Sequence, residues 1–226
     1  MSIRIDIVSA LPQLLKSPLS ESILKRAQEK KLAQIEVHDL RSFTHDKHKI
    51  VDQPPYGGGG GMVLKPEPVF ECIEWLKSKR KYDEIIYVTA DGEKFNQKTA
   101  NDLSLKKNLI ILCGHYKGID DRIRQALITK EISIGDYVLT GGELAAMVIA
   151  DAVVRLIPGV ISDAESALTD SFQDGMLDAP SYTRPPDFRG MKVPEVLLSG
   201  NHKDVAQWRE LQRTEKTKKR RKDLLK

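Results

Sequence analysis

The stretch Ile132–Gly159, ISIGDYVLTGGELAAMVIADAVVRLIPG, constrains the fold more than any other part of the chain. A short apolar entry feeds a compact loop from Gly135 to Gly142. A nearly all-apolar helical segment follows from Glu143 to Ile157, where Pro158 and Gly159 stop it. A helix this apolar has to be covered on most sides, and a glycine-bounded loop lets backbone come close to a ligand. Asp151 and Arg155 are the unusual charges within it; four residues apart on a helix, they can pair with each other. The stretch is shorter than the roughly 20 apolar residues of a membrane span.

The residues leading up to it alternate between strand and helix patterns. Ile3 to Val8 reads as a first strand, Pro18 to Ala27 as a helix capped by Ser20 or a neighbour, and Ile35 to Leu40 as a second strand. Strand–helix–strand is the unit of a parallel α/β sheet. Glu67 to Lys79 has helical spacing, with Val69, Phe70, Ile73 and Leu76 on one face and Trp75 off it. Strands follow at Ile85–Thr89, at Asn108–Cys113 and at Glu131–Ile134, with short helices at Asn96–Leu105 and Asp120–Ala126 between them. Asn108–Cys113 is continuously apolar, as at the centre of a parallel sheet. Three strand ends therefore present loops, Thr89–Gly92, Gly114–Gly118 and Gly135–Gly142. Ligands of open α/β sheets bind beyond the carboxyl ends of the strands, so these loops predict a small-molecule pocket.

The five glycines Gly57–Gly61 invite a phosphate-loop reading, but Met62-Val63 follows where that motif needs Gly-Lys-Ser/Thr. The dinucleotide fingerprint also fails, because Met62 stands where its last glycine belongs. The run is either a connector or a lid that orders over a ligand; the entropy lost on ordering it favours a lid coupled to binding. His45 and His48 lack further ligands at zinc spacing and read as exposed loop histidines. The start of the chain has no apolar signal region. Cys72 and Cys113 make no disulfide framework, so a cytoplasmic location without membrane attachment is expected.

Beyond Gly159 the composition changes. Residues 161–171 are small and polar, a linker, and residues 172–226 form a small, mainly helical region without an obvious core. Charge concentrates at its end: Arg209–Lys226 holds nine Lys/Arg against three Asp/Glu, although the whole chain is only +4. Such a tail suits a nucleic-acid partner through phosphate neutralisation, and equally a solvated helix end.

Several motifs, in order, carry a family resemblance. They are Pro55-Tyr56-Gly57-Gly58-Gly59, Gly114-His115-Tyr116-Lys117-Gly118-Ile119-Asp120 and Ile134 through Glu143. Asp170-Ser171-Phe172, Tyr182-Thr183-Arg184-Pro185 and Leu198-Ser199-Gly200-Asn201-His202 complete the set. Over essentially its whole length the chain resembles the bacterial tRNA (guanine-N1)-methyltransferases that modify guanosine 37, next to the anticodon. The resemblance implies the SPOUT fold, an α/β domain with a deep trefoil knot over residues 1–160, and a tRNA-binding C-terminal domain over 172–226. It implies S-adenosylmethionine as methyl donor, tRNA as substrate and a homodimer with shared active sites. A divalent ion assisting the base is compatible with the sequence but not indicated by it.

By resemblance, cofactor contacts fall on Tyr87, Val88, Thr89, Gly114, Tyr116, Ile134, Gly135, Asp136, Tyr137, Val138, Leu139, Gly141 and Gly142. Asp170 matches the family's general base and Arg155 its partner for the target base. The chemistry suits these types. Guanine N1 is a poor nucleophile until its proton is removed, and an Arg near O6 stabilises the charge that develops there. Read without the family, Arg155 pairs with Asp151 and Asp170 caps a helix. The rival function is a knotted-fold RNA-binding protein without catalysis. Many relatives carry Arg and Glu where this chain has His115 and Lys117.

Overall fold

In the computed structural model, which describes residues 2–161 and 170–225, the chain forms two compact units divided between Ser162 and Asp163. In the first, β1 (Ile3–Ser9), β2 (Ala33–Asp39), β5 (Glu84–Lys94), β6 (Asn108–Cys113) and β7 (Lys130–Ser133) make one parallel sheet in the order β2-β1-β6-β5-β7. The apolar strand β6 is central, as its composition predicts.

Side-chain alternation sends each strand's residues to two cores. Ile5, Ile7, Leu109, Ile111, Ile86 and Val88 face one core, with α1 (Gln13–Leu19), α2 (Ser22–Glu29), α4 (Gln97–Ser104) and α6 (Glu143–Val154) packed there. Val8, Ile110, Leu112, Ile85 and Tyr87 face the other, under α3 (Pro66–Lys79) and α5 (Asp121–Leu127). Helix starts follow side-chain chemistry: Asn96 accepts from Thr99 N, and Asp120 from Arg122 N. Between β2 and α3, a 3₁₀ turn (Leu40–Phe43) precedes the two-residue pair β3 (Asp52–Gln53) and β4 (Val63–Leu64). The glycine run lies between β3 and β4.

Two expectations need correction. The helix expected over residues 18–27 is two helices: Ser20 closes α1 by donating its N–H to Lys16 O, and its neighbour Glu21 precedes α2. The apolar helix ends at Val154 rather than Ile157, since the N–H groups of Leu156 and Ile157 turn back three residues, to Val153 and Val154. It is also not wholly covered: Leu144 and Val148 are about half exposed, at 57% and 48%, and Asp151 is exposed beside them. Trp75, off the buried stripe of α3, packs at the surface against His38 and Phe43, with Lys79 over its ring.

In the second unit, β8 (Asp187–Phe188) and β9 (Met191–Lys192) form a hairpin. Its turn residues Arg189 and Gly190 both have positive φ, as a tight hairpin turn of that type requires. A 3₁₀ turn (Glu195–Leu198) leads to α7 (His202–Arg220), capped by Asn201, which accepts from Lys203 N. Few side chains are buried in this unit. Thr217 is one, and its hydroxyl accepts from Leu177 N at 3.0 Å. Most of the expected 161–171 linker lies outside the described residues.

Candidate functional site

Three loops meet at the carboxyl edge of the sheet around a cavity of about 160 Å³. The first arises inside β5. Val88 and Glu93 both pair with Ile132, so the four residues between them bulge out of the ladder. The second, Gly114–Gly118, follows β6, and the third, Ile134–Gly142, follows β7 and enters α6.

Glycine is required where these loops press on one another. A Cβ on Gly142 would stand 2.6 Å from Val88 Cγ2 and 2.8 Å from Gly114 N, and one on Gly114 would stand 2.9 Å from the Tyr87 ring. The contact is hydrogen bonded: Gly142 donates to Gly114 O at 2.7 Å, and His115 bridges Gly141 in antiparallel fashion. Tyr116 holds a positive φ of 61°, uncommon for a residue with a side chain, on the rim of the cavity. The second loop is also held from outside, because Lys117 N donates to Met62 O and Leu64 N to Gly118 O. The end of the glycine run is thus fastened to the pocket, while Gly57–Gly60 have nothing within 4 Å of their Cβ positions.

Behind the third loop lies a buried polar group that sequence reading missed. Glu143, in the first turn of α6, is 1% exposed, and its Oε1 accepts from Ser9 Oγ at 2.7 Å. A Cβ on Gly141 would lie 2.4 Å from Glu143 Oε2 and 2.5 Å from His115 Nδ1, so the carboxylate and the imidazole approach the same point. His115 Nδ1 is buried without a hydrogen-bond partner. Beyond its place at the end of the Ile134–Glu143 motif, the signal for Glu143 in the sequence is an acidic residue at the start of an otherwise apolar helix. That position reads equally as favourable helix-dipole chemistry.

The structure brings Tyr87, Val88, Thr89, Gly114, Tyr116, Ile134, Gly135, Tyr137, Val138, Leu139, Gly141 and Gly142 to this one cavity. Asp136 is not part of its lining: the side chain turns away and pairs with Lys94 at 2.7 Å. Ala90, His115, Lys117, Ser133 and Ala145 line the cavity as well. The outer wall is exposed and apolar, with Val138 at 86% and Tyr137 at 55%. At about 160 Å³ the cavity is smaller than the roughly 300 Å³ at which ligand pockets begin.

Arg155 is the half-exposed residue that ends α6, and its N–H donates to Asp151 O. Asp170 belongs to the second unit. The helix it would cap is absent: residues 171–176 form turns, with Phe172 at φ 76° donating its N–H to Met176 O. His45 Nε2 lies 2.9 Å from Glu71 Oε2 in an exposed contact, and no group of three metal-ligating side chains gathers among the described residues. No described helix is long and apolar enough to cross a membrane.

The sequence model of the family described as tRNA (Guanine-1)-methyltransferase TrmD matches residues 3–226. A Bacteroides thetaiotaomicron protein named tRNA (guanine-N(1)-)-methyltransferase is 61% identical over 222 residues, covering 98% of this chain and 99% of its own. Proteins of the same name from Cytophaga hutchinsonii and Flavobacterium johnsoniae are 62% and 59% identical. Each covers 98% of this chain, over 94% and 98% of its own length respectively. The chain belongs to the TrmD family of tRNA (guanine-1)-methyltransferases.

Proposed function

We propose that the protein transfers a methyl group from S-adenosylmethionine to N1 of guanosine 37 in tRNA, in the cytoplasm. The observation that carries this reading is the meeting of three loops, one of them a bulge within β5, fixed by Gly114 and Gly142 around one cavity. Full-length relatives named for guanine N1 methylation of tRNA supply the reaction and speak against a purely RNA-binding role.

The lining fits a nucleoside donor. Backbone of the three loops can meet the polar edge of a base, Tyr116, Ile134 and Leu139 offer apolar surface, and His115 Nδ1 is a buried polar atom still lacking a partner. When bound, S-adenosylmethionine supplies an electrophilic methyl group on a sulfonium, chemistry that needs no metal. Tyr87, Val88, Thr89, Gly114, Tyr116 and the Ile134–Gly142 loop would hold it, Asp136 contributing backbone rather than side chain. Asp170 takes the guanine N1 proton as general base, and Arg155 donates to O6 as negative charge grows there.

The same reading includes the deep trefoil knot. Its support is the mutual packing of the second and third loops, joined by the Gly142–Gly114 hydrogen bond and the His115–Gly141 bridge. It includes a homodimer, supported by the exposed apolar residues Leu144 and Val148 on α6. It also includes tRNA binding by the second unit, supported by the run of exposed cations at the end of α7. Incubating the protein with S-adenosylmethionine and unmodified tRNA, then digesting the tRNA to nucleosides for mass spectrometry, should yield 1-methylguanosine. A different methylated nucleoside, or none, would overturn the proposal.

A further inference from the structure

Arg124, on α5, does not line the cavity, yet its guanidinium touches β5, the bulged loop within it and β7, which carry part of the pocket's inner wall. Its Nε donates to Glu131 Oε1 at 2.9 Å, and its Nη2 donates to Glu131 Oε2 and, at 2.9 Å, to Asp91 Oδ2. Asp91 in turn accepts from Thr89 Oγ1, closing the bulged loop on itself. The guanidinium also lies 5.6 Å from the centroid of the Tyr87 ring. The Tyr87 ring packs where a Cβ on Gly114 would stand, 2.9 Å away, and its hydroxyl is 3.5 Å from the Cβ position of Gly118. One cation therefore contacts the first loop through Asp91, β7 through Glu131 and β5 through the Tyr87 ring, which itself packs on the second loop at Gly114.

Stability does not explain the Asp91 arm of the arrangement. Asp91 is 61% exposed, and ion pairs that open to water contribute little. Geometry does. The bulge leaves the β5–β7 ladder at Val88 and rejoins it at Glu93. At Gly92 it passes so close to β7 that a Cβ would be 2.6 Å from Glu131 C and Ile132 N. Between those two points Asp91 is the residue that ties the loop sideways, and only a planar fork can hold two carboxylates while covering a ring.

We propose that Arg124 is a positioning residue for the nucleoside pocket: it fixes the Thr89–Gly92 bulge, β7 and the Tyr87 ring in one arrangement, and cofactor affinity depends on that arrangement. The inference rests on the S-adenosylmethionine reading of the cavity. It adds a residue outside the lining, on an element that the sequence motifs do not mark.

Calorimetric titration with S-adenosylhomocysteine, combined with amide hydrogen exchange of the unliganded protein, tests it on the full chain. Arg124→Ala and Asp91→Asn should each weaken binding by about tenfold, the scale of lost supporting contacts around a ligand site. Exchange should accelerate at residues 89–92, with the melting temperature and the amides of β1 and β6 unchanged. Arg124→Lys should fail to restore affinity, since an ammonium cannot fork. Asp91→Asn cuts the exposed arm alone and keeps the test decisive if Arg124→Ala folds poorly. Wild-type affinity in Asp91→Asn, or full rescue by Lys, would overturn the inference and leave the cofactor reading intact. No binding by the wild type would overturn both.

Discussion

Ser9 Oγ donates a 2.7 Å hydrogen bond to Glu143 Oε1 across 134 residues of sequence, joining the end of β1 to the first turn of α6. Both side chains are buried, and the same hydroxyl accepts from Leu11 N at 2.8 Å. Ser9→Ala therefore removes one partner of a buried carboxylate and one of a backbone N–H. Leaving such groups unsatisfied costs about 1–3 kcal/mol each. Urea unfolding should show a loss of about 2–6 kcal/mol for the two groups together, with an unchanged denaturant slope; a loss below ~0.5 kcal/mol would mean that water replaces the hydroxyl.

The glycines divide into two kinds, and alanine substitution should separate them. Gly142→Ala drives a Cβ into Val88, Gly114 N and Cys113 Cα, where backbone cannot yield cheaply. It should cost about 1–3 kcal/mol as overpacking and should also abolish cofactor binding by calorimetry. Gly60→Ala meets nothing within 4 Å and has no positive φ, so it should be neutral or gain about 0.4–1 kcal/mol from the unfolded state. If Gly60→Ala impairs binding as strongly as Gly142→Ala, the glycine run is part of the pocket rather than a connector or lid beside it.

Asp6 should contribute to the acid sensitivity of the first unit. Burial raises its pKa, but hydrogen bonds from His38, Arg4 and Tyr82 outweigh that and hold it at about 2. The folded value is below that of an unfolded Asp, near 3.9. Its contribution is therefore complete above about pH 4 and lost as pH falls through 2. A depression of this size corresponds to about 2–3 kcal/mol. Asp6→Asn should flatten the fall in stability between pH 5 and pH 2, measured by urea titration at several pH values. An unchanged profile would assign acid sensitivity to other carboxylates.

The charge at the chain's end can be tested without damaging the unit that carries it. Truncation from Lys216 would remove buried Thr217 and the bond from Lys216 to Asp178 O. Replacing Lys218, Lys219 and Arg220 with Gln changes exposed residues only. The triple variant should weaken tRNA binding and reduce the slope of log K against log salt by about 2–3. An unchanged slope would make this run a solvated helix end.

These tests follow the line between what the sequence makes visible and what it hides. The strand ends and their glycines are legible because a continuous apolar run such as Asn108–Cys113 followed by Gly114 has few other readings. Asp6 is not legible: it sits in an alternating strand where a polar residue reads as exposed. The partners that permit its burial, His38 and Tyr82, are 32 and 76 residues away. Glu143 is hidden for the same reason, being satisfied by a serine at the other end of the domain's sequence. Asp136 sits in a loop, Ile134–Gly142, whose other residues line the cavity, and only the position of Lys94 shows that its side chain leaves it. Arg124 carries no motif, and its role depends on three elements meeting in space.

The proposed methyl transfer to one nucleotide, with Asp170 as base, is tested most directly by single-turnover kinetics with labelled S-adenosylmethionine and tRNA transcripts carrying guanosine or adenosine at position 37. Label is expected on the guanosine transcript alone. Asp170→Asn should still bind the cofactor and lose transfer by about 10²–10⁴-fold, the range of general-base catalysis. Equal labelling of both transcripts, or an unimpaired Asp170→Asn, would contradict it.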